Sequence, residues 1–238
     1  EVPYYDVPTI QKMLIKKANE TAKPVITATQ MLLSMTQNER ATRAEISDVA
    51  NAVLDGTDVV MLSEESAVGE DPVNVVETMS NIIAKTEEIY NYVKQYEMDY
   101  LDGFDMIQST ATKLADDIGA KGILALTSSG QSAIKMSRYR PKTRIFAYTH
   151  KKKVLNSLTA IWGVTPVTII KEAQASKMFY KMLKALENEG ILDKNGPYIA
   201  TVGYPVGMPG STNTIKILTK GEIDYYLNLP YKNNKTDL

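Results

Sequence analysis

Two short apolar runs in the first third of the chain each end in polar side chains that could carry out acid–base or phosphate chemistry. Val25–Ala28 is followed by Thr29, and Asp58–Leu62 is followed by Ser63 and Glu65. A hydroxyl group both donates and accepts hydrogen bonds, and a carboxylate accepts a proton or braces a cation. Because ligands bind where neighbouring parallel strands end, the spacing predicts one site formed by both strand ends.

The same residues also have a simpler structural interpretation. A threonine that ends a strand often caps the next helix, and a serine or glutamate at the surface is commonly only solvated. From the residue types alone, both interpretations of Thr29, Ser63 and Glu65 stay open.

A second polar turn lies in the latter half of the chain, between a predicted strand at 122–126 and a helix that begins near Gln131. Hydroxyl groups, a permissive glycine and a helix N-terminus suit phosphate oxygens. A loop at 203–214, rich in glycine and proline, could cover this turn. The alternative is an ordinary helix cap beside an ordinary hairpin loop. The candidate phosphate-binding residues are Thr127, Ser128, Ser129, Gly130, Gln131, Ser132, Gly207, Gly210, Ser211 and Thr212.

Alternating helix and strand patterns must position these residues. In the first part, the pattern predicts helices at 30–35, at 43–54 and from Pro72 to about Tyr96. The 43–54 helix should begin at a capping box formed by Thr42 and Glu45 and end at Gly56. The buried stripe predicted for the Pro72 helix consists of Val73, Val76, Met79, Ile82, Ile83 and Ile89.

In the second part, strands are predicted at 122–126, 144–148, 166–169, 198–202 and 214–218, with a further short strand at 223–227. Strands that alternate with helices favour a mostly parallel sheet, here closed by a hairpin. An acidic, aromatic stretch without clear periodicity lies near 97–105. We therefore expect two domains, at 1–97 and 98–238.

Composition excludes several classes of protein. The chain has 238 residues, a formal net charge of −1, no cysteine, and His150 as its only histidine. Disulfides, thiolate metal sites and multi-histidine metal sites are thereby excluded. Without a basic surface we expect no nucleic-acid partner, and no apolar run approaches the roughly 20 residues of a membrane span. The absence of cysteine fits a reducing, cytoplasmic compartment.

The segment from Lys23 to Gly69 closely resembles the pyruvate kinase family. It contains ATQML at 28–32, TRAE at 42–45, SDVANAVLDGTD at 47–58 and MLS at 61–63. The resemblance continues through TSSGQSA at 127–133, SRYRP at 137–141, WGV at 162–164 and GSTNT at 210–214. It covers the whole chain but only about half of the family's length.

The resemblance implies an α/β fold. It consists of an incomplete C-terminal portion of a (β/α)8 TIM barrel, followed by a pyruvate-kinase-type C-terminal α/β domain with a mostly parallel five-stranded sheet. It further implies a glycolytic, cytoplasmic enzyme that transfers phosphate from phosphoenolpyruvate to ADP, giving pyruvate and ATP. The full-length enzyme would use Mg²⁺ and K⁺, form a homotetramer, and bind a sugar-phosphate or nucleotide as allosteric effector.

The resemblance also implies what this chain lacks. The chain begins with Glu1 rather than methionine and looks excised from a longer protein. The family's metal carboxylates, potassium site, catalytic lysine and phosphate-binding arginine lie upstream. We therefore expect the chain alone to bind no metal and to be inactive. The alternative is a non-catalytic phosphometabolite-binding regulatory module.

Residue roles follow from the same resemblance. Thr29 would assist the proton step at the enolate carbon, while Ser63 and Glu65 would brace the active site. The turn at 127–132 and the loop at 203–214 would hold an effector phosphate. Two positions depart from the family: Glu64 stands where glycine or alanine is usual, and Gln131 stands where arginine is frequent.

Overall fold

A computed structural model describes residues 2–92, 102–204 and 212–231. They belong to two compact units, residues 1–91 and 92–238, which are described separately. The domain boundary predicted after residue 97 lies outside the described residues.

The first unit contains a pair of parallel strands surrounded by helices. Strand β1 (Ile26–Ala28) pairs with strand β2 (Val59–Met61), so that Ile26 lies opposite Val59 and Ala28 lies opposite Met61. The carboxyl ends of both strands are therefore level. The elements in chain order are α1 (Val7–Glu20), β1 (Ile26–Ala28), α2 (Arg43–Asp55), β2 (Val59–Met61), α3 (Glu64–Ala67) and α4 (Pro72–Glu87).

Helix α2 begins and ends as the sequence predicts. The Thr42 hydroxyl accepts a hydrogen bond from the Glu45 amide at 3.3 Å, and the Glu45 carboxylate accepts one from the Thr42 amide at 2.8 Å. Gly56 ends the helix with a φ of 96°, a conformation that glycine adopts without steric cost. The predicted capping box is confirmed.

The loop after β1 does not form the helix predicted at 30–35. Thr29 and Gln30 both have positive φ, and only a short 3-10 turn follows, at Leu33–Thr36. The amide of Leu32 binds a side chain 33 residues away, Glu65, instead of a carbonyl of a preceding turn. A tertiary hydrogen bond thus replaces a local helix here.

Helix α4 buries only part of the predicted stripe, because Met79 is buried and Ile82 and Ile83 pack half-buried against the core. Val75 and Met79 are buried, whereas Val73, Val76 and Ile89 are exposed. Its apolar residues form two overlapping stripes, and the stripe through Val75 is the one that packs in the core. The buried core of the first unit consists of Met31, Leu32, Met35, Val49, Ala52, Val75 and Met79.

The second unit is built on a five-stranded sheet of β3 (Ile123–Leu126), β4 (Ile145–Thr149), β5 (Val164–Ile169), β6 (Tyr198–Gly203) and β7 (Thr212–Leu218), which lie side by side in the order β5-β4-β3-β6-β7. Strands β3 to β6 run parallel, and β7 runs antiparallel to β6, which confirms the predicted sheet. The elements are α5 (Gly103–Asp117), β3 (Ile123–Leu126), α6 (Gln131–Ser137), β4 (Ile145–Thr149), α7 (Lys152–Ser157), β5 (Val164–Ile169), α8 (Ala175–Asn188), β6 (Tyr198–Gly203), β7 (Thr212–Leu218) and α9 (Lys220–Leu227).

Hydrophobic cores cover both faces of this sheet. Leu124 and Ala200 point to the face that carries α8 and α9. Ile123 and Ala125 point to the opposite face, which carries α5 and α6. Alternate residues of the central strands are therefore buried on both sides, as expected for a parallel sheet between helices.

The last strand predicted, at 223–227, is wrong, because these residues belong to helix α9. Thr219 and Glu222 form a second capping box: the Thr219 hydroxyl accepts from the Glu222 amide, and the Glu222 carboxylate accepts from the Thr219 amide. This T-x-x-E pattern is visible in the sequence and indicates a helix start.

No helix among residues 2–92, 102–204 and 212–231 combines the length and apolar character needed to cross a membrane.

Candidate functional site

The ends of β1 and β2 bring Thr29 and Ser63 to the same edge of the first unit, because Ala28 lies level with Met61. Thr29 is exposed and has a φ of 74°, and Gln30 follows with a φ of 56°. Such a backbone is rare for a residue branched at Cβ and costs on the order of 1–3 kcal/mol. Strained residues of this kind cluster at functional sites, which favours a role for Thr29.

Glu65 joins the two strand ends. Its side chain is buried, Oε1 accepts a hydrogen bond from the Leu32 amide at 3.1 Å, and Oε2 accepts one from the Ser63 amide at 2.7 Å. Burial acts to raise the pKa of Glu65, but backbone N–H donors outweigh it, so that the pKa lies below its ordinary value. Glu65 is therefore an ionised brace between the loops that follow β1 and β2.

Gly69 allows the chain after α3 to lie close to this brace. A Cβ atom added at Gly69 would lie 2.2 Å from the backbone oxygen of Glu65, which is too near for any side chain. The next amide, that of Glu70, donates to the Thr36 carbonyl at 3.2 Å. The loop after β1 is thus held from the β2 side at two places.

The polar turn of the second unit follows β3. The Thr127 hydroxyl accepts a hydrogen bond from the Gly130 amide at 2.9 Å, and Gly130 has a φ of 91°. The Thr127 amide donates to the Tyr148 carbonyl of β4, also at 2.9 Å. Thr127 therefore shapes the turn and ties it to the neighbouring strand.

The predicted phosphate-binding residues divide by exposure. Ser129 and Gln131 are exposed and Ser128 is half-buried, whereas Thr127 and Ser132 are buried. The exposed side chains are accessible to a ligand, whereas the buried hydroxyls of Thr127 and Ser132 form hydrogen bonds within the protein. Among the loop candidates, the structure places Thr212, while Gly207, Gly210 and Ser211 lie outside the described residues.

An irregularity in the β6–β7 hairpin brings Thr212 to the turn. Val202 pairs with Thr214 and Gly203 with Thr212, so Asn213 is an extra residue in β7. The Thr212 hydroxyl lies 2.9 Å from the Ser132 hydroxyl, and both side chains are buried. The Asn213 side chain accepts from the Tyr204 amide and donates to its carbonyl, at 2.9 and 2.7 Å.

Three exposed lysines, Lys151–Lys153, follow β4 next to the same turn. Helix α7, which contains Lys152 and Lys153, lies close by, because a Cβ added at Gly130 would be 3.5 Å from Val154 Cγ1. Three consecutive lysines at this point of the sequence are typical of a solvated helix start and, less often, of an anion contact. This proximity follows from the parallel pairing of β3 with β4, because the loops that follow two neighbouring parallel strands lie at the same edge of the sheet.

A divalent-metal site is not formed by the described part of the chain. Within residues 2–92, 102–204 and 212–231, no three acidic or histidine side chains converge as metal ligands. Both oxygens of Glu65 are occupied by backbone amides, so this carboxylate does not offer a free ligand set. The described residues therefore do not fit Mg²⁺.

Comparison with protein families agrees with this geometry. Residues 1–76 match the model described as "Pyruvate kinase, barrel domain", and residues 105–218 match "Pyruvate kinase, alpha/beta domain". The chain belongs to the pyruvate kinase family. Thr29, Ser63 and Glu65 lie in the barrel match, and the turn at 127–132 lies in the α/β match.

Individual relatives cover nearly all of the chain. A pyruvate kinase of Lactobacillus delbrueckii subsp. bulgaricus is 41% identical over 91% of this chain and 38% of that protein. One of Clostridium acetobutylicum is 41% identical over 91% of this chain and 47% of that protein. A crystal structure of a Cryptosporidium parvum pyruvate kinase, 35% identical, has a TM-score of 0.83 and covers 92% of this chain and 44% of that one. The chain thus spans less than half the length of these relatives.

Proposed function

We propose that this chain is the C-terminal part of a pyruvate kinase, a cytoplasmic glycolytic enzyme that transfers a phosphoryl group from phosphoenolpyruvate to ADP. The observation that carries the proposal is the strained Thr29 at the end of β1, which lies at the same edge as Ser63 inside the barrel match. Phosphoryl transfer depends mainly on positioning and on neutralising the charge of the moving group. In the full-length enzyme Mg²⁺ and K⁺ would supply the positive charge that neutralises the phosphoryl group. Thr29, Ser63 and Glu65 would contribute to positioning.

The proposed role of Thr29 concerns the proton step. When the phosphoryl group leaves the enol oxygen for ADP, an enolate remains, and a proton must add to its methylene carbon to give pyruvate. A threonine hydroxyl can donate that proton and recover one from water, because it both donates and accepts. Thr29 is exposed at the strand end, where such exchange is possible. Ser63 and Glu65 hold the neighbouring backbone.

Activity measurements on two lengths of the protein test this proposal. With phosphoenolpyruvate, ADP, Mg²⁺ and K⁺, the full-length protein should form pyruvate, and residues 1–238 alone should not, because the described residues form no metal site. Pyruvate can be followed by a coupled dehydrogenase assay. Turnover by residues 1–238 alone would show that the chemistry does not depend on upstream residues.

A second function is favoured by the turn at 127–132. We propose that it binds the phosphate of a sugar-phosphate or nucleotide effector, which would make the second unit a regulatory module of a homotetrameric enzyme. Ser128 and Ser129 present hydroxyls at the turn, and Lys151–Lys153 add positive charge beside it. These lysines offset the charge that Gln131 lacks where the family frequently has arginine.

Calorimetric titration with glucose 6-phosphate and with AMP tests the phosphate site. At least one of the two should bind, and Ser129→Asp should weaken it by about tenfold or more, because the new carboxylate repels phosphate. Ser47→Asp introduces the same charge on helix α2 of the first unit and should leave binding unchanged. Equal binding by the wild-type chain and Ser129→Asp would contradict the proposal.

A further inference from the structure

The loop from Thr29 to Thr36 begins in an unfavourable backbone conformation and must be held there. Thr29 and Gln30 have φ values of 74° and 56°. Neither is glycine, so each favours a return to negative φ. Met31 and Leu32 bury their side chains directly afterwards, which anchors the middle of the loop in the core.

Glu45 binds this loop from helix α2. Its Oε1 accepts from the Ser34 amide at 2.6 Å, and its Oε2 accepts from the Ser34 hydroxyl at 2.5 Å. In a capping box the glutamate side chain need only accept from the N-cap amide, and Glu45 does accept from the Thr42 amide at 2.8 Å. The two bonds to Ser34 are therefore additional to the helix cap.

Glu65 holds the same loop from helix α3, by accepting from the Leu32 amide. Burial acts to raise the pKa of Glu45, but the hydroxyl and amide of Ser34, together with those of Thr42, outweigh it and lower the pKa. Both glutamates are therefore ionised at neutral pH, and each accepts strong, charge-assisted hydrogen bonds. The backbone that leads away from Thr29 is thus fixed at Leu32 by one carboxylate and at Ser34 by the other.

We propose that Glu45 is a positioning residue for Thr29: by clamping Ser34, it holds the loop after β1 so that Thr29 keeps its left-handed backbone and presents its hydroxyl to the site. This inference rests on the proposed function, because it assumes that the Thr29 hydroxyl serves the proton step. Without the clamp, the Leu33–Thr36 turn can shift, and the strain at Thr29 and Gln30 is relieved by a change of φ. The hydroxyl then leaves its working position while the helix and the core persist.

Steady-state kinetics of full-length variants test the proposal. Glu45→Gln should lower kcat by about 10- to 100-fold, the range expected when a reacting group is misplaced by a fraction of an ångström to an ångström, and should change the KM for phosphoenolpyruvate by less than about twofold. Ser34→Ala should have a smaller effect, because the Ser34 amide still binds Glu45. The kcat of the double variant should be no lower than that of Glu45→Gln alone, because both substitutions act on the same contact between Glu45 and Ser34.

Asp71→Ala is the matched control for lost stability. Asp71 caps helix α4 by accepting from the Asn74 amide at 3.0 Å, so its loss weakens this helix but removes none of the hydrogen bonds at Leu32, Ser34 and Thr36 that hold the loop after β1. It should leave kcat unchanged. A kcat for Glu45→Gln equal to that of Asp71→Ala, or additive effects of Glu45→Gln and Ser34→Ala, would overturn the positioning role.

Two further measurements separate this inference from the proposed function. Hydrogen exchange at the Ser34 amide should accelerate in Glu45→Gln but not in Asp71→Ala, and unchanged exchange would overturn the clamp. If Thr29→Val keeps full turnover while Glu45→Gln loses it, the proposed role of Thr29 fails, and the positioning of Thr29 with it. If Thr29→Val loses turnover and Glu45→Gln keeps it, only the positioning role fails.

Discussion

Replacing Thr29 with valine in the full-length enzyme should lower kcat by about 10²- to 10⁴-fold, the range for loss of a positioned acid–base group. Valine preserves the shape and the branch at Cβ, so the backbone preference at this left-handed position is nearly unchanged. The KM for phosphoenolpyruvate should change much less than kcat. The measurement is steady-state pyruvate formation, together with solvent-proton incorporation into the methyl group of pyruvate.

Thr29→Ser is the matched control, because it keeps the hydroxyl and removes only the methyl group. It should retain most of the turnover. If Thr29→Val and Thr29→Ser have the same kcat, the hydroxyl does not take part in the reaction, and the strain at this position has another origin.

Replacing Glu65 with alanine should destabilise the first unit by about 3 kcal/mol or more. The Leu32 and Ser63 amides would lose a charged acceptor, and each such bond contributes about 1.5–3 kcal/mol. Urea denaturation followed by circular dichroism of residues 1–238 measures this change. Glu64→Ala is the neighbouring control: Glu64 is exposed, and its loss should change stability by less than about 0.5 kcal/mol. Equal effects of the two variants would contradict the bracing role.

The stability lost in Glu65→Ala should depend on pH in a defined direction. The folded-state pKa of Glu65 lies below its ordinary value of 4.5, since its amide donors outweigh the effect of burial. The folded protein therefore binds the proton less readily than the unfolded chain. The stabilisation by the ionised Glu65 carboxylate is fully present above the pKa that Glu65 has in the unfolded chain. It disappears as the pH falls through the folded pKa. The difference in the free energy of unfolding between wild type and Glu65→Ala should thus be constant near neutral pH and become smaller in acid.

Local patterns were sufficient to predict much of the fold. The T-x-x-E pattern at Thr42 and the glycine at Gly56 define helix α2, because caps depend on residues only a few positions apart. The same pattern at Thr219 indicates the start of α9 and outweighs the apolar residues at 223–227 that favour a strand. Alternation of helices and strands was enough for the five-stranded sheet.

The geometry of the candidate site could not be predicted in this way. Nothing in the residues around Thr29 indicates a left-handed backbone, and the loop that follows is held by hydrogen bonds from the Leu32 amide to Glu65 and from the Ser34 amide to Glu45. These bonds join residues 33 and 11 positions apart. Residue types identified which side chains carry chemistry, and long-range contacts determine how they are held.

The extra residue Asn213 in the β6–β7 hairpin determines on which face of the sheet Thr212 lies. Side chains alternate between the two faces of a strand, so removing one residue would rotate Thr212 away from Ser132 to the other face. The side-chain amide of Asn213 accepts from the Tyr204 N–H and donates to the Tyr204 carbonyl. It thereby takes the place of a paired backbone residue next to Gly203. The register of the two strands therefore keeps the Thr212 hydroxyl against Ser132.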